Sequence, residues 1–147
     1  MSVFAGSFSL EAAEEVGRAG AATPPSVTDT LIDLVERSFG IREGTSGRAR
    51  YRLHETMREF ALLRLIEADE EAAVRDAHLS FFAGLCQFSE LELAGADGTS
   101  TLASLEELDL EADNVRAALR YCLALSDGAD VGLSMRPALG CTGGHEP

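Results

Sequence analysis

The sequence predicts a mainly α chain with one small β-hairpin in its first half, and three observations support that. Apolar residues recur at three- and four-residue steps from Val74 to Phe88 and again from Leu105 to Cys122, the period of an amphipathic helix. Arg50-Tyr51-Arg52-Leu53 alternates with period two and follows the turn-forming Gly44-Thr45-Ser46-Gly47, so it reads as the returning strand of a hairpin. Helix-start signals at Ser9 and Ser26 stand ahead of that hairpin.

The elements follow in order. Ser9 in FSLEAAEEVG is placed to cap a helix, with Glu11 in the positive first turn. Leu10, Ala13 and Val16 give that helix one narrow apolar stripe, which ends at Gly17 or Gly20. GAATPP is a linker, because the residue before a proline is driven away from helical geometry. Ser26-x-x-Asp29 has the form of a capping box opening the next helix. There Val27, Leu31, Leu34, Val35 and Ser38 share a face, while Asp29, Asp33, Glu36 and Arg37 point to water. Phe39 to Arg42 is the outgoing strand. On the returning strand, Arg50 and Arg52 take one face and Tyr51 and Leu53 the other. Two helices, a hairpin and a further helix make most of a winged-helix domain.

From Thr56 to Glu67 apolar residues occupy most of the helix circumference, which predicts burial on more than one side. Ala68-Asp69-Glu70 is a joint, with Asp69 expected to cap the helix that carries Val74, Ala77, His78, Phe81, Leu85 and Phe88. Ala94 to Ser100 reads as a flexible loop, and the last clear helix carries Leu105, Leu108, Ala112, Val115, Leu119 and Cys122. Beyond Leu125, Ser126-Asp127-Gly128 breaks the pattern, Pro137 obstructs a further helix, and Cys141 to Pro147 is expected to be unstructured.

Composition narrows the functional classes. The chain has 147 residues, room for one domain or a small domain with a helical extension. With 25 acidic against 12 basic residues the formal charge is −13, which argues against nucleic acid as a ligand of the whole chain. All the basic residues are arginine, and most lie between Arg37 and Arg75, so the middle is locally basic. Cys86, Cys122 and Cys141 are widely spaced with no CxxC, as in a protein of reduced thiols, with Cys86 and Cys122 buried. No signal peptide is evident, and no apolar run approaches the roughly 20 residues that span a bilayer. These features predict a soluble, cytoplasmic protein without membrane contact.

His54 stands where the returning strand meets a helix N-terminus, a position whose N–H groups and dipole favour an anion. The segment around it, Tyr51 to Ala61 (YRLHETMREFA), resembles the end of the NB-ARC region in STAND-class signal-transduction ATPases, where a Met-His-Asp motif leads into a similar helix. SVFAGSFSLEAAEEV, TLIDLVERSFG and LEADNVRAALRYCLAL are likewise similar to pieces of large bacterial regulators of that class, LuxR-like and AfsR-like. The resemblance implies a winged helix lying between a nucleotide-binding domain and tetratricopeptide-like repeats. It implies a winged-helix-like domain at 1–67 with its first helix incomplete, a helical linker and start of repeats at 68–139, and a disordered tail at 140–147. In that class the histidine contacts the β-phosphate of ADP, which makes His54 the expected phosphate sensor whenever a nucleotide domain is present. Leu53 and Glu55 stand where the motif has Met and Asp.

The chain has no GxxxxGK[ST] and no lysine at all, so ATP hydrolysis within it is not expected; ADP or ATP belongs to the implied nucleotide domain. The expected partners are that domain and proteins bound through the helical repeats. The alternative is direct DNA binding by the winged helix through Arg42, Arg48, Arg50 and Arg52, with Arg37 nearby. Against it stand Asp29, Asp33 and Glu36 on the would-be recognition helix. A third reading is a truncated remnant that associates through exposed apolar faces. His78 is expected to pack on an apolar helix face, Cys141-x-x-x-His145 offers too few ligands for zinc, and the paired carboxylates read as solvated faces. No catalytic or metal-ligating set is expected.

Overall fold

The computed structural model describes residues 1–19, 26–44, 49–95 and 98–125. It is mainly helical, with five helices and a small three-stranded antiparallel sheet among those residues. The order is β1 (Phe8–Ser9), α1 (Leu10–Gly17), α2 (Val27–Glu36), β2 (Gly40–Glu43), β3 (Arg50–Leu53), α3 (Glu55–Glu67), α4 (Glu71–Gly95) and α5 (Gly98–Ala124). The chain divides into two compact units, one running Met1–Phe81 and the other starting at Phe82, within the span of α4.

The first unit is set by its caps and its aromatic core. Ser9 caps α1 by accepting from the Ala12 N–H at 3.1 Å, and Ser26 caps α2 by accepting from Asp29 N–H at 3.2 Å. Each such cap stabilises its helix by about 1 kcal/mol. Ala12, Ala13 and Val16 of α1, Leu31 of α2 and Leu53 of β3 are buried together with Val3, Phe4 and Phe8. The Phe4 and Phe8 rings stack at 4.3 Å, and His78 meets Phe4 edge-on at 5.2 Å. His78 is 3 % exposed, and burial pushes its imidazole down to about 4, with the Met1 amine and Arg75 adding to the effect. It is a packed residue, as its apolar surroundings in the sequence predict.

The sheet has the order β1-β3-β2, so the returning strand of the hairpin lies in the centre. Phe8 stands opposite Tyr51 and Ser9 opposite Arg50, while β2 and β3 pair from Gly40 and Leu53 to Glu43 and Arg50. A Cβ on Gly40 would sit 3.2 Å from the Arg52 carbonyl oxygen, which explains a glycine at this close strand approach.

Helices α2 and α3 end in the same way. Ser38 takes φ 60° while its N–H donates to Val35 O at 3.0 Å and Phe39 N–H donates to Leu34 O at 2.8 Å. Asp69 takes φ 58° while its N–H donates to Ile66 O at 3.1 Å and Glu70 N–H to Leu65 O at 3.0 Å. Both are left-handed C-terminal closures that satisfy the last carbonyls of a helix. Two expectations are corrected here. Asp69 closes α3 and does not cap α4, and Ser38 lies past the end of α2, exposed, off the buried face.

Three further expectations change. No residue of α3 is fully buried; Phe60, Leu63 and Ile66 are 57 %, 59 % and 50 % exposed, so its second apolar side faces outward. The flexible loop expected over 94–100 is largely helix, since α4 runs to Gly95 and α5 begins at Gly98. The outgoing strand begins one residue later than expected, at Gly40, because Phe39 is taken up in closing α2. The segment beyond Leu125, including Cys141 and His145, lies outside the described residues.

In the second unit, burial follows one stripe on each helix. On α4 it holds Phe82, Ala83, Cys86 and Ser89; on α5 it holds Ser104, Leu108, Glu111, Val115, Ala118 and Cys122. Phe88 and Leu105, expected in those stripes, are 60 % and 46 % exposed. Cys86 and Cys122 are buried and not joined in a disulfide, and burial beside Glu90 pushes the Cys86 thiol up to about 11. A thiol held that high is inert near neutral pH. Among the buried polar residues of α5, Asn114 Nδ2 donates to Glu111 Oε2 at 2.8 Å.

Candidate functional site

The residues singled out by the sequence converge on the β2–β3 hairpin and the start of α3. The hairpin arginines differ in their surroundings. Arg50 turns inward: its Nε donates to Ser7 Oγ at 2.9 Å and its terminal nitrogen to the Ser7 carbonyl oxygen at 2.7 Å. Together these bonds fasten the centre of the sheet to the segment that leads into β1. Arg52, one position on from Tyr51, is exposed and pairs with Glu43 at 2.7 Å across the hairpin. Both members are about half-exposed, so the pair contributes at most about 1 kcal/mol and can be exchanged for another anion. Arg42, on β2 opposite Tyr51, is exposed. Arg48 lies outside the described residues.

His54 is the N-terminal cap of α3, in extended geometry at φ −62° and ψ 146°, and its side chain makes no capping hydrogen bond. The residue is exposed. Its backbone is fixed at both ends: the N–H donates to Phe39 O at 3.1 Å, and the carbonyl accepts from Arg58 N–H at 2.9 Å. The imidazole therefore stands at the positive end of α3 on a well-held backbone. Glu55 already occupies that first turn, and the hydrogen bond from Arg58 holds its carboxyl below the ordinary range. Arg58 also reaches the Phe4 carbonyl at 3.5 Å. An anion approaching His54 would meet one cation shared with one fixed carboxylate.

Helix α2, expected from the sequence as the recognition helix in the DNA-binding alternative, carries exposed Asp29, Asp33 and Glu36, and its Arg37 is paired with Asp33 at 2.9 Å. Ile32 is 48 % exposed on the same helix. The outer face of α2 is thus acidic with an apolar spot. Among the described residues no three His, Cys, Asp or Glu side chains lie together as metal ligands, and no helix is long and apolar enough to cross a membrane.

Sequence reasoning missed β1, the stack of Phe4 on Phe8 and the bond from Arg50 to Ser7. A two-residue strand has no period to read, and the Arg50 contact joins residues far apart in sequence.

Comparison with known proteins adds a functional context. Over 118 residues, 80 % of this chain, it is 33 % identical to a Mycobacterium tuberculosis protein provisionally named an HTH-type transcriptional regulator. The Mycobacterium bovis protein of the same provisional name matches equally, at 33 % over 118 residues. An uncharacterized Mycobacterium tuberculosis protein is 37 % identical over 75 residues, half of this chain and 19 % of its own length. The chain spans only 13 % of the length of the regulators it matches. No family model matches the chain, and no solved structure matches it.

Proposed function

We propose that this chain acts in the cytoplasm in transcriptional regulation, as a segment of an HTH-type regulator with no catalytic step of its own. The observation that carries this reading is the 33 % identity over 118 residues to proteins provisionally named as such regulators. The helix–helix–hairpin–helix order of the first unit agrees with it.

For the contact with DNA, the wing is the favoured edge. Arg42 and Arg52 are exposed on the hairpin, whereas α2 offers three carboxylates to any phosphate. Two phosphate contacts give a salt slope of about −2 in log affinity against log salt, since each contributes about −0.9. Binding to a random duplex, measured by fluorescence anisotropy across a salt series, tests this. Weak binding with that slope, lost in the Arg42→Ala/Arg52→Ala double variant, is the expected result. No binding at low salt, or binding that the double variant retains, overturns it.

A second reading rests on a different observation, the exposed apolar face of α3 beside an exposed, backbone-anchored His54. In it the winged helix clamps a STAND-type nucleotide-binding domain, and His54 reads the ADP phosphate. Helices α3 and α4 then pass that state to tetratricopeptide-like repeats starting in the segment 68–139. Co-expression with a nucleotide-binding domain from a Mycobacterium tuberculosis regulator, with ADP added, tests it. ADP-dependent co-purification lost in His54→Ala supports the clamp, and ADP-independent behaviour sinks it.

A further inference from the structure

The hairpin carries a carboxylate among its arginines. Strand alternation and the β2–β3 register put Ile41 and Glu43 of β2 on the same face as Arg50 and Arg52 of β3, with Arg42 on the other face. Arg50 stands directly across from Glu43, where a cross-strand ion pair would form most readily. It is already engaged: its Nε donates to the Ser7 hydroxyl at 2.9 Å and its terminal nitrogen to the Ser7 carbonyl oxygen at 2.7 Å. Glu43 pairs instead with its diagonal neighbour Arg52, Oε1 lying 2.7 Å from the guanidinium nitrogen. The Arg52 and Glu43 side chains are 53 % and 41 % exposed, so an anion from solvent can reach this guanidinium without opening the core.

We propose, on the reading in which Arg42 and Arg52 meet a duplex, that Glu43 limits the affinity of the hairpin for DNA. Its carboxylate occupies on Arg52 the place that a backbone phosphate would take. Carboxylate and phosphate both present paired oxygens to a guanidinium fork, so they compete for the same donors. A phosphate that reaches Arg52 displaces Glu43 and then stands beside its negative charge. Arg42, on the other face of the hairpin, is spared that competition. Glu43 therefore weakens the hold on a duplex without changing the number of phosphate contacts. The bonds from Arg50 to Ser7 are part of the device, because they leave Glu43 to Arg52.

The test places Glu43→Gln, which keeps the shape and removes the charge, in the full chain and beside Arg52→Ala or Arg42→Ala. Binding to a random duplex is read by fluorescence anisotropy across a salt series. Glu43→Gln is expected to bind about two- to fivefold tighter, the range that releasing an exposed ion pair supports. Its salt slope should stay at about −2, since no phosphate contact is added. The gain should persist beside Arg42→Ala and vanish beside Arg52→Ala, whereas a gain from net charge alone would survive both. Equal binding by Glu43→Gln and the wild-type chain overturns the proposal and leaves the duplex contact standing. A gain that persists without Arg52 also overturns it. Duplex binding by neither protein overturns this role of Glu43 and the duplex contact together.

Discussion

Helix α2 and the β2–β3 hairpin, the two elements weighed in the proposed contact with DNA, carry opposite charge. The exposed side of α2 presents Asp29, Asp33 and Glu36, with its one arginine tied to Asp33. The hairpin presents Arg42 and Arg52, with Arg50 turned inward to Ser7. Element order alone therefore does not decide which element could meet phosphates; the side chains do. The same lesson applies within the hairpin, where Arg50 and Arg52 are two residues apart but one fastens the sheet and the other is free to exchange its ion pair.

The comparison holds only if the wing is a rigid platform, and the largest effect is expected from breaking that platform. Phe8 is 1 % exposed, stacks on Phe4 and lies opposite Tyr51 in the sheet. Phe8→Ala should destabilise the protein by about 3–5 kcal/mol, read from urea unfolding followed by circular dichroism. A loss under 1 kcal/mol would mean that the aromatic core does not support the hairpin.

Next comes pH. The folded His78 imidazole sits at about 4 against an ordinary 6.5, because burial disfavours its charged form. The unfolded chain therefore takes up the proton first. The stability it contributes is fully present above pH 6.5 and is lost as pH falls from there toward 4. The span corresponds to about 3 kcal/mol at most. The Met1 amine, lowered from 8.0 to about 6, acts in the same direction at higher pH. Urea midpoints taken from pH 8 to pH 4 should fall with acid, and His78→Gln should flatten the part below pH 6.5. A wild-type profile flat across that range would remove His78 from the account.

Within the hairpin, Arg50→Met should cost about 1–3 kcal/mol by stripping two bonds from Ser7, one of them to a backbone carbonyl. Arg52→Met should change stability by less than about 0.5 kcal/mol, since its pair is exposed. Equal losses in unfolding experiments would erase the distinction between the two arginines. The effect at the helix ends is also small and has the opposite sign. Asp69→Gly relieves a left-handed non-glycine residue and should stabilise the protein by up to about 1 kcal/mol, a rise of a few degrees in Tm.

The fold was largely legible because local signals agreed with it. Ser9 and Ser26 cap the helices they were expected to cap, Arg50 to Leu53 is the returning strand, and period-three-and-four spacing marks α4 and α5. Failures occurred where the chain alone cannot say which neighbour is present. The all-round apolar character of α3 predicted burial on both sides, yet Phe60, Leu63 and Ile66 face outward. Asp69 has the chemistry of an N-cap, but its left-handed geometry places it at the preceding C-terminus, a distinction that backbone hydrogen bonds make and composition does not. For the site, the sequence picks out His54 and the hairpin arginines, and their residue types reveal nothing of partners. The bond from Arg50 to Ser7 depends on β1, too short to detect, and the ion pair of Arg52 depends on the register across the hairpin.

The most direct test of the account is an NMR map of the full chain as a random duplex is added at low salt. The account predicts shifts concentrated on Ile41 to Gly44 and on Arg52, with the amides of α2 unmoved. Shifts centred on Asp29 to Glu36, or none on the hairpin while binding is observed, would contradict the claim that the wing meets DNA.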